Sequence, residues 1–262
     1  MSERIARVSI VFPTYNNARF IGASVSAALA QDYSNFEVVV VDDGSTDATE
    51  GVLKAIPDTR LRYIKRDRRM GQSAALNEAI SQTNGDFIAI NDADDLSFPF
   101  RLSYVMDSFI TGSPPLLVGT NHASANEFCP ELPAYNQCED KTSEGFLTIL
   151  NKENLYRGTP FAHSSMVFTK DAWHRAGGYN ERLSICIDFD FVLRVARLGD
   201  IGYLPRKTVL IFFNRNSFYR TKKTSVYLKT LFAVKKQFRR DFRVPLRVRV
   251  QDLLYLREFI KH

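Results

Sequence analysis

The stretch FEVVVVDDGSTD, residues 36–47, runs four consecutive valines into two adjacent aspartates, a glycine and three further polar residues. An unbroken run of β-branched residues marks a strand buried on both faces. Two like charges at the mouth of such a strand repel each other unless a cation or a hydrogen-bond donor sits there.

Short apolar runs flank this one. VSIVF (8–12, ended by Pro13), LRYI (61–64) and FIAI (87–90) read as further strands. Between them, helical spacing appears over 18–30 (Phe20, Ile21, Val25, Ala28, Leu29), from the cap candidates Ser45, Thr46 and Asp47 through Ile56, and over 73–81. Strand and helix thus alternate four times within about a hundred residues, which predicts βαβ units: an α/β fold with a mostly parallel central sheet and helices on both faces. Ligands of such sheets bind beyond the carboxyl ends of the strands. Here those ends carry PTYNN (13–17), DDGSTD (42–47) and NDADD (91–95). Further along, strands are expected at 116–118 and 166–168 and a helix at 189–198. A polar excursion over the site is expected at 121–154.

The 262 residues, 45% hydrophobic and 24% charged, suit one large globular domain or one domain with an appendage. Cys129, Cys138 and Cys186 form no CxxC pair and read as reduced thiols. The N-terminus lacks a signal-peptide core, and no uncharged run reaches the roughly 18 residues needed to cross a bilayer, so a cytoplasmic chain is expected. Charge is divided: residues 206–262 hold 16 Lys/Arg against 3 Asp/Glu, or +13, which leaves −7 for residues 1–205 out of a total of +6. The basic extension has helical spacing at Leu228, Leu231, Val234 and Phe238, and again after Pro245 at Leu246, Val250, Leu253, Phe259 and Ile260. It suits a cap packed on the body, an amphipathic helix on an anionic membrane surface, or a dock for a partner chain. Its basic residues alternate with core-like apolar ones, which argues against nucleic acid.

In NDADD, Asp92 and Asp94 alternate along the backbone and so can face one crevice. Mg²⁺ or Mn²⁺ typically takes one or two carboxylates and completes its shell with water and substrate phosphates. A lone DxD is equally the mark of a solvated turn or helix cap. Its place directly after FIAI, on the same sheet edge as DDGSTD, favours the metal. No GxGxxG follows the first strand, which sets aside a nicotinamide-dependent oxidoreductase.

VSIVFPTYNNARFIGASVSAALAQDYSNFEVVVVDDGSTDAT, MGQSAALNEAI and NGDFIAINDADDLSFPFRL together resemble the inverting family 2 glycosyltransferases of the GT-A fold. The resemblance covers residues 8–102 and returns at 176–199. It implies a nucleotide-sugar-binding half (1–102), an acceptor-binding half (103–205) and the extension (206–262). It further implies a metal-dependent transferase, using Mn²⁺ or Mg²⁺, that moves a sugar from a UDP- or dTDP-sugar to a hydroxyl of a glycan or lipid-linked acceptor. Bacterial cell-surface polysaccharide synthesis is the expected setting, in the cytoplasm or peripherally on the inner membrane surface.

Residue by residue, the resemblance assigns Pro13, Thr14 and Tyr15 to the nucleotide, with Tyr15 stacked on the base. Asp43 receives the base N3–H, while Asp42 turns aside to hold backbone amides. Residues from Gly71 to Asn77 close over the ribose and diphosphate. Asp92 and Asp94 hold the metal, Asp94 as the direct ligand, Asp92 also reaching the nucleotide; Asp95 is expected as a helix cap. Asp188 is the base that deprotonates the acceptor, and such a carboxylate contributes about 10²–10⁴-fold. Asp190 is its competitor, and with Trp173 and His163 it is expected in the acceptor cleft. Two departures stand out: Ile187 where a Glu is common, and Asn216 where many relatives have a histidine near the diphosphate. They keep an alternative open, a catalytically silent nucleotide-sugar-binding partner of a polysaccharide synthase.

Overall fold

The valine run forms the interior of β2 (Phe36–Asp42), and every residue of that strand is buried. The computed structural model describes residues 5–110, 112–128, 145–212, 224–239, 241–242 and 245. β2 lies between β1 (Val8–Thr14) and β3 (Leu61–Lys65), and β1 pairs on its other side with β4 (Phe87–Ile90), all in parallel. Val38 and Val40 face a core shared with Ile10, Phe12 and the helices α1 (Ile21–Leu29), α2 (Thr49–Lys54) and α4 (Arg101–Met106). Val39 and Val41 face the opposite core, with Val11, Ile88, Ile90 and α3 (Gln72–Ser81). Helices cover both faces, so the central positions Val38–Val41 are all apolar.

The sheet continues as a mixed half. β8 (Val167–Thr169) runs antiparallel between β4 and β6 (Leu117–Ala125); β6 pairs in parallel with β9 (Ile201–Phe212). The short strands β5 (Leu96–Ser97) and β7 (Thr148–Ile149) lie antiparallel on β9. Among the described residues this makes one nine-stranded sheet, in which β1, β2, β3, β4, β6 and β9 point the same way. Their carboxyl ends therefore gather at one edge. The remaining helices, α5 (Lys152–Arg157), α6 (Lys170–Ala176), α7 (Ile187–Val195) and α8 (Thr224–Phe238), pack on the face that carries α3.

Several expectations need correction. β1 does not stop at Pro13 but runs on to Thr14. The Val11 carbonyl accepts the Asn91 N–H on the β4 side, whereas the Thr14 carbonyl accepts the Asp43 N–H on the β2 side. Pro13 faces the β4 side, where β4 has already ended, so its missing N–H costs no ladder bond. The polar stretch from 121 opens within β6, which extends to Ala125. β9 crosses the boundary expected at 205/206. Its register on β6 slips from Thr120–Leu204 to Asn121–Lys207, leaving Pro205 and Arg206 as a bulge whose proline and charge resemble a linker in sequence. α2 begins after Ala48 without a side-chain cap, although Asp47 still accepts the Thr49 N–H at 3.0 Å. In the extension, α8 buries Val234 and Phe238 in the main core, and Arg239 donates to the Tyr156 hydroxyl at 3.0 Å. Cys129, Cys138, Asn216, His262, the spacing from Leu246 to Ile260 and much of 121–154 lie outside the described residues. No described helix is long and apolar enough to cross a membrane.

A fully buried cation fixes the end of β4. Arg101, 1% exposed, donates to the Asn91 side-chain oxygen (3.0 Å), the Ser97 hydroxyl (2.9 Å) and the Ile90 carbonyl (2.7 Å). Asn91 in turn donates to the carbonyls of Asp92 and Asp95, at 3.0 and 3.1 Å. The acidic turn is thereby tied to the sheet from below. Arg101→Met keeps the stem but removes every hydrogen bond of the guanidinium and strips the buried Ile90 carbonyl of that donor, and such losses are worth about 1–3 kcal/mol each. Denaturant unfolding is expected to show a loss of about 3 kcal/mol or more; a loss under about 1 kcal/mol would contradict this role.

Candidate active site

At the carboxyl edge a cavity of about 1160 Å³ is lined by all three polar clusters and by the start of α7. That exceeds the ~300–1,000 Å³ of ordinary small-molecule sites.

The aspartates of DDGSTD are already engaged. Asp42 accepts the Ser45 N–H (2.8 Å) and the Tyr63 hydroxyl (2.9 Å), as expected of the acid that turns aside. Asp43 accepts from Arg66 (3.0 Å) and the Met70 N–H (2.8 Å) on Oδ1, and from the Gly71 N–H (2.7 Å) on Oδ2. A carboxylate has about four acceptor sites, so one remains, on Oδ2. Asp43 therefore clamps the 66–71 loop as well as facing the cavity, a role its sequence position did not suggest. The other polar residues of the stretch zip it to PTYNN. Asn16 donates its N–H to Ser45 and accepts the Thr46 N–H, both at 2.8 Å, while Asp47 accepts the Ala18 N–H at 3.0 Å. Gly44 has φ +79°, and a Cβ there would meet the Arg68 carbonyl carbon at 2.8 Å, so only glycine lets the two loops touch. That contact delivers Arg69, whose guanidinium carbon lies 4.0 Å from the Tyr15 ring centroid, a cation–π pair that braces the ring. Arg69 and Arg182 line the cavity without having been anticipated; for Arg69 the cue was the basic run RDRR before Gly71.

On the far side of β1, the turn after β4 crowds three acids. Burial, and then the charge of Asp92, push Asp94 up to about 6. Burial followed by the charges of Asp92 and Asp94 drives Asp95 well above the ordinary carboxylate range. Both protein donors that reach Asp92 among the described residues, Gln72 (3.4 Å) and His163 Nδ1 (3.3 Å), end on Oδ1. Burial alone would lower His163, but the charge and hydrogen bond of Asp92, with Asp188 adding, raise it. Asp92 and Asp94 both line the cavity, and a divalent cation bound there would relieve their repulsion; two carboxylates match what Mg²⁺ or Mn²⁺ takes from protein. No group of three or more His, Cys, Asp or Glu fit to hold a metal is present among the described residues.

Asp188 lies in the first turn of α7, half-buried, and lines the cavity beside Ile187. The residue before this pair, Cys186, has φ 57°, a left-handed conformation that is strained without glycine. The helix thus starts abruptly, directly at the cavity wall.

Pro13, Thr14, Tyr15, Asp43, Gly71, Asp92, Asp94, His163 and Asp188 all line one cavity. Three expected residues do not. Asn77 donates to the Tyr179 carbonyl (2.9 Å) and to Glu181 (2.8 Å) and accepts the Tyr179 N–H (2.7 Å), so it fastens α3 to the segment after α6. Trp173 donates to the same Asn77 oxygen at 3.3 Å and packs against the core. Asp190, 1% exposed, pairs with Arg194 at 2.8 Å and takes no part in the cavity. Asp95 is a buried member of the acidic cluster; α4 begins six residues later, after Phe100.

The raised Asp94 carboxyl sets a pH dependence. It binds its proton more tightly folded than unfolded, so the metal-free protein loses stability as pH climbs from the unfolded carboxyl range, about 4, through about 6. Asp94→Asn is expected to stabilise the metal-free protein at neutral pH by on the order of 1–3 kcal/mol, with the difference vanishing at or below about pH 4. Equal melting curves for the two proteins across that range would contradict the crowding.

The model of glycosyl transferase family 2 matches residues 9–177. EpsE of Bacillus subtilis (strain 168) is 30% identical over 209 residues, covering 75% of this chain and 69% of that one. The UDP-Glc:alpha-D-GlcNAc-diphosphoundecaprenol beta-1,3-glucosyltransferase WfgD of Escherichia coli is 29% identical over 164 residues, covering 60% of this chain and 65% of its own. Among solved structures, Staphylococcus aureus TarS residues 1–349 in complex with UDP-GlcNAc superimposes with a TM-score of 0.69 at 17% identity, over 87% of this chain and 66% of that chain. Other relatives are much longer, and this chain spans 21% to 29% of their length. The GT-A-like fold and the family match agree, and relatives act in bacterial polysaccharide synthesis. The chain belongs to glycosyl transferase family 2 and is a transferase enzyme.

Proposed function

We propose that this chain is a metal-dependent inverting glycosyltransferase, moving a sugar from a UDP-sugar to a hydroxyl of a lipid-linked or glycan acceptor in bacterial cell-surface polysaccharide synthesis. The observation that carries the reading is that the crowded pair Asp92 and Asp94 and the separate carboxylate Asp188 line one cavity. The names of WfgD and of the TarS complex, both with UDP-sugars, support the donor class. A dTDP-sugar offers the same pyrimidine N3–H and is its chemical twin.

Tyr15, braced by Arg69, forms the platform for the base, and the remaining acceptor site of Asp43 takes the N3–H. Asp94, with Asp92, holds Mn²⁺ or Mg²⁺, which when bound offsets the charge that grows on the diphosphate as it leaves. Asp188 accepts the proton of the acceptor hydroxyl as that oxygen attacks the anomeric carbon from the face opposite the diphosphate. Ile187, 2% exposed, puts an apolar wall where a second acid is common in the family, so Asp188 works without a like-charged neighbour in sequence. A lipid-linked acceptor places the reaction at the cytoplasmic face of a membrane, and the +13 of residues 206–262 suits an anionic surface.

Asp188→Asn tests the assignment. Release of UDP from UDP-sugars is expected to fall by about 10²–10⁴-fold while UDP affinity, measured calorimetrically with Mn²⁺, stays within about twofold. Full turnover in the variant would remove Asp188 from the chemistry. A thermal shift screen separates donors: UDP with Mn²⁺ should stabilise the protein, by about 2.7 kcal/mol at a hundredfold excess over Kd, and chelator should abolish most of the gain. Equal stabilisation with purine nucleotides would contradict the donor class.

A further inference from the structure

His163 occupies a place that the transfer reaction, as proposed above, does not use. It sits in the short 3₁₀ turn His163–Ser165 that leads into β8. Because β8 runs antiparallel to β4, the entrance of one strand lies beside the exit of the other, and the Met166 carbonyl accepts the Ile90 N–H at 2.9 Å. The topology therefore brings His163 up to the acidic turn although 71 residues separate it from Asp92.

Both ring nitrogens are engaged. Nδ1 lies 3.3 Å from Asp92 Oδ1 and Nε2 lies 3.1 Å from the Tyr179 hydroxyl. An ionised carboxylate only accepts, so Nδ1 must carry a proton whether the ring is neutral or charged. In the neutral ring Nε2 is then bare and takes the Tyr179 O–H. Tyr179 is 2% exposed, and its ring stacks on Phe191 of α7 at 4.5 Å between centroids and 20° between planes. Phe191 lies three residues beyond Asp188 on the same helix. A continuous chain of contacts thus joins Asp92, at the donor end of the cavity, to the helix that starts with the acceptor-side carboxylate.

We infer that His163 is a positioning residue of the transfer site: its Nδ1–H fixes one oxygen of Asp92 and leaves the other for a ligand, while Nε2 ties that acid through Tyr179 to the helix of Asp188. The inference rests on the proposed function for the meaning of Asp92, but its geometry stands without it. Hydrogen-bonding partners of metal-binding side chains typically contribute about 10–100-fold in metal affinity.

Two measurements decide it. NMR of ¹⁵N-histidine-labelled enzyme at mildly alkaline pH, with the His163→Asn spectrum for assignment, should show the Nδ1–H tautomer at His163, whereas free histidine favours Nε2–H; an Nε2–H tautomer would overturn the inference. Calorimetric titration of Mn²⁺ in the presence of UDP should show His163→Ala weakened about 10–100-fold. His163→Asn, whose amide N–H replaces that of Nδ1, should recover to within about threefold of wild type on the same grounds. Wild-type affinity in His163→Ala, or no recovery in His163→Asn, would also overturn it. Should His163→Ala not fold, the tautomer and the asparagine variant still decide. If the wild type takes up no Mn²⁺ with UDP, the proposed function fails, and the tautomer alone judges the positioning geometry.

Discussion

Carboxylates forced together at the exit of a buried strand govern the carboxyl edge of this protein. Asp92, Asp94 and Asp95 follow β4 within one turn, and the sheet gives them no room to separate. Arg101 and Asn91 pin the turn from below, and β5, starting one residue after Asp95, returns the chain to β9. The consequence is a pair of acids, Asp94 and Asp95, that hold their protons more tightly than ordinary carboxylates. Carboxyls perturbed this way in a cleft mark a candidate functional site. The cavity opens over that charge, His163 contacts one member, and Asp188 lines the same cavity from α7.

The DDGSTD stretch resolves differently. There the adjacent aspartates diverge, and each finds donors within the protein: Ser45 and Tyr63 for Asp42, Arg66, Met70 and Gly71 for Asp43. The acidic ends of β2 and β4, on either side of β1, thus serve opposite purposes. One is satisfied and makes the loops rigid around Tyr15; the other is left in deficit. Rigid loops beside a charge deficit are what orientation of a charged ligand requires, since little has to move when it binds.

How much of this was legible in the sequence depended on the range of the interactions. Unbroken apolar runs gave β2 and β4 to within two residues, because burial on both faces leaves no alternative. Pro13 was misleading because its tolerance depends on where the neighbouring strand ends. β9 was hidden because Pro205 and Arg206 form a bulge, and a bulge carries the same residues as a linker. Asn77, Trp173 and Asp190 stood at plausible positions, yet each is satisfied elsewhere. The partners of Asn77 are 102 and 104 residues away, and no spacing rule reaches that far. Asp190 meets Arg194 one helical turn on, a pairing its i,i+4 spacing did offer. The bracing of Asp92 by His163 was likewise out of reach, since it depends on β8 entering the sheet in reverse.

The central claim is that the acids after β4 hold a cation that grips the donor diphosphate. Anomalous diffraction at the manganese edge, from crystals grown with Mn²⁺ and UDP, measures it directly. One strong peak is expected within bonding distance of Asp94 and the UDP phosphates, with the uracil between Tyr15 and Asp43. A manganese peak remote from Asp94, or UDP bound outside this cavity, would contradict it.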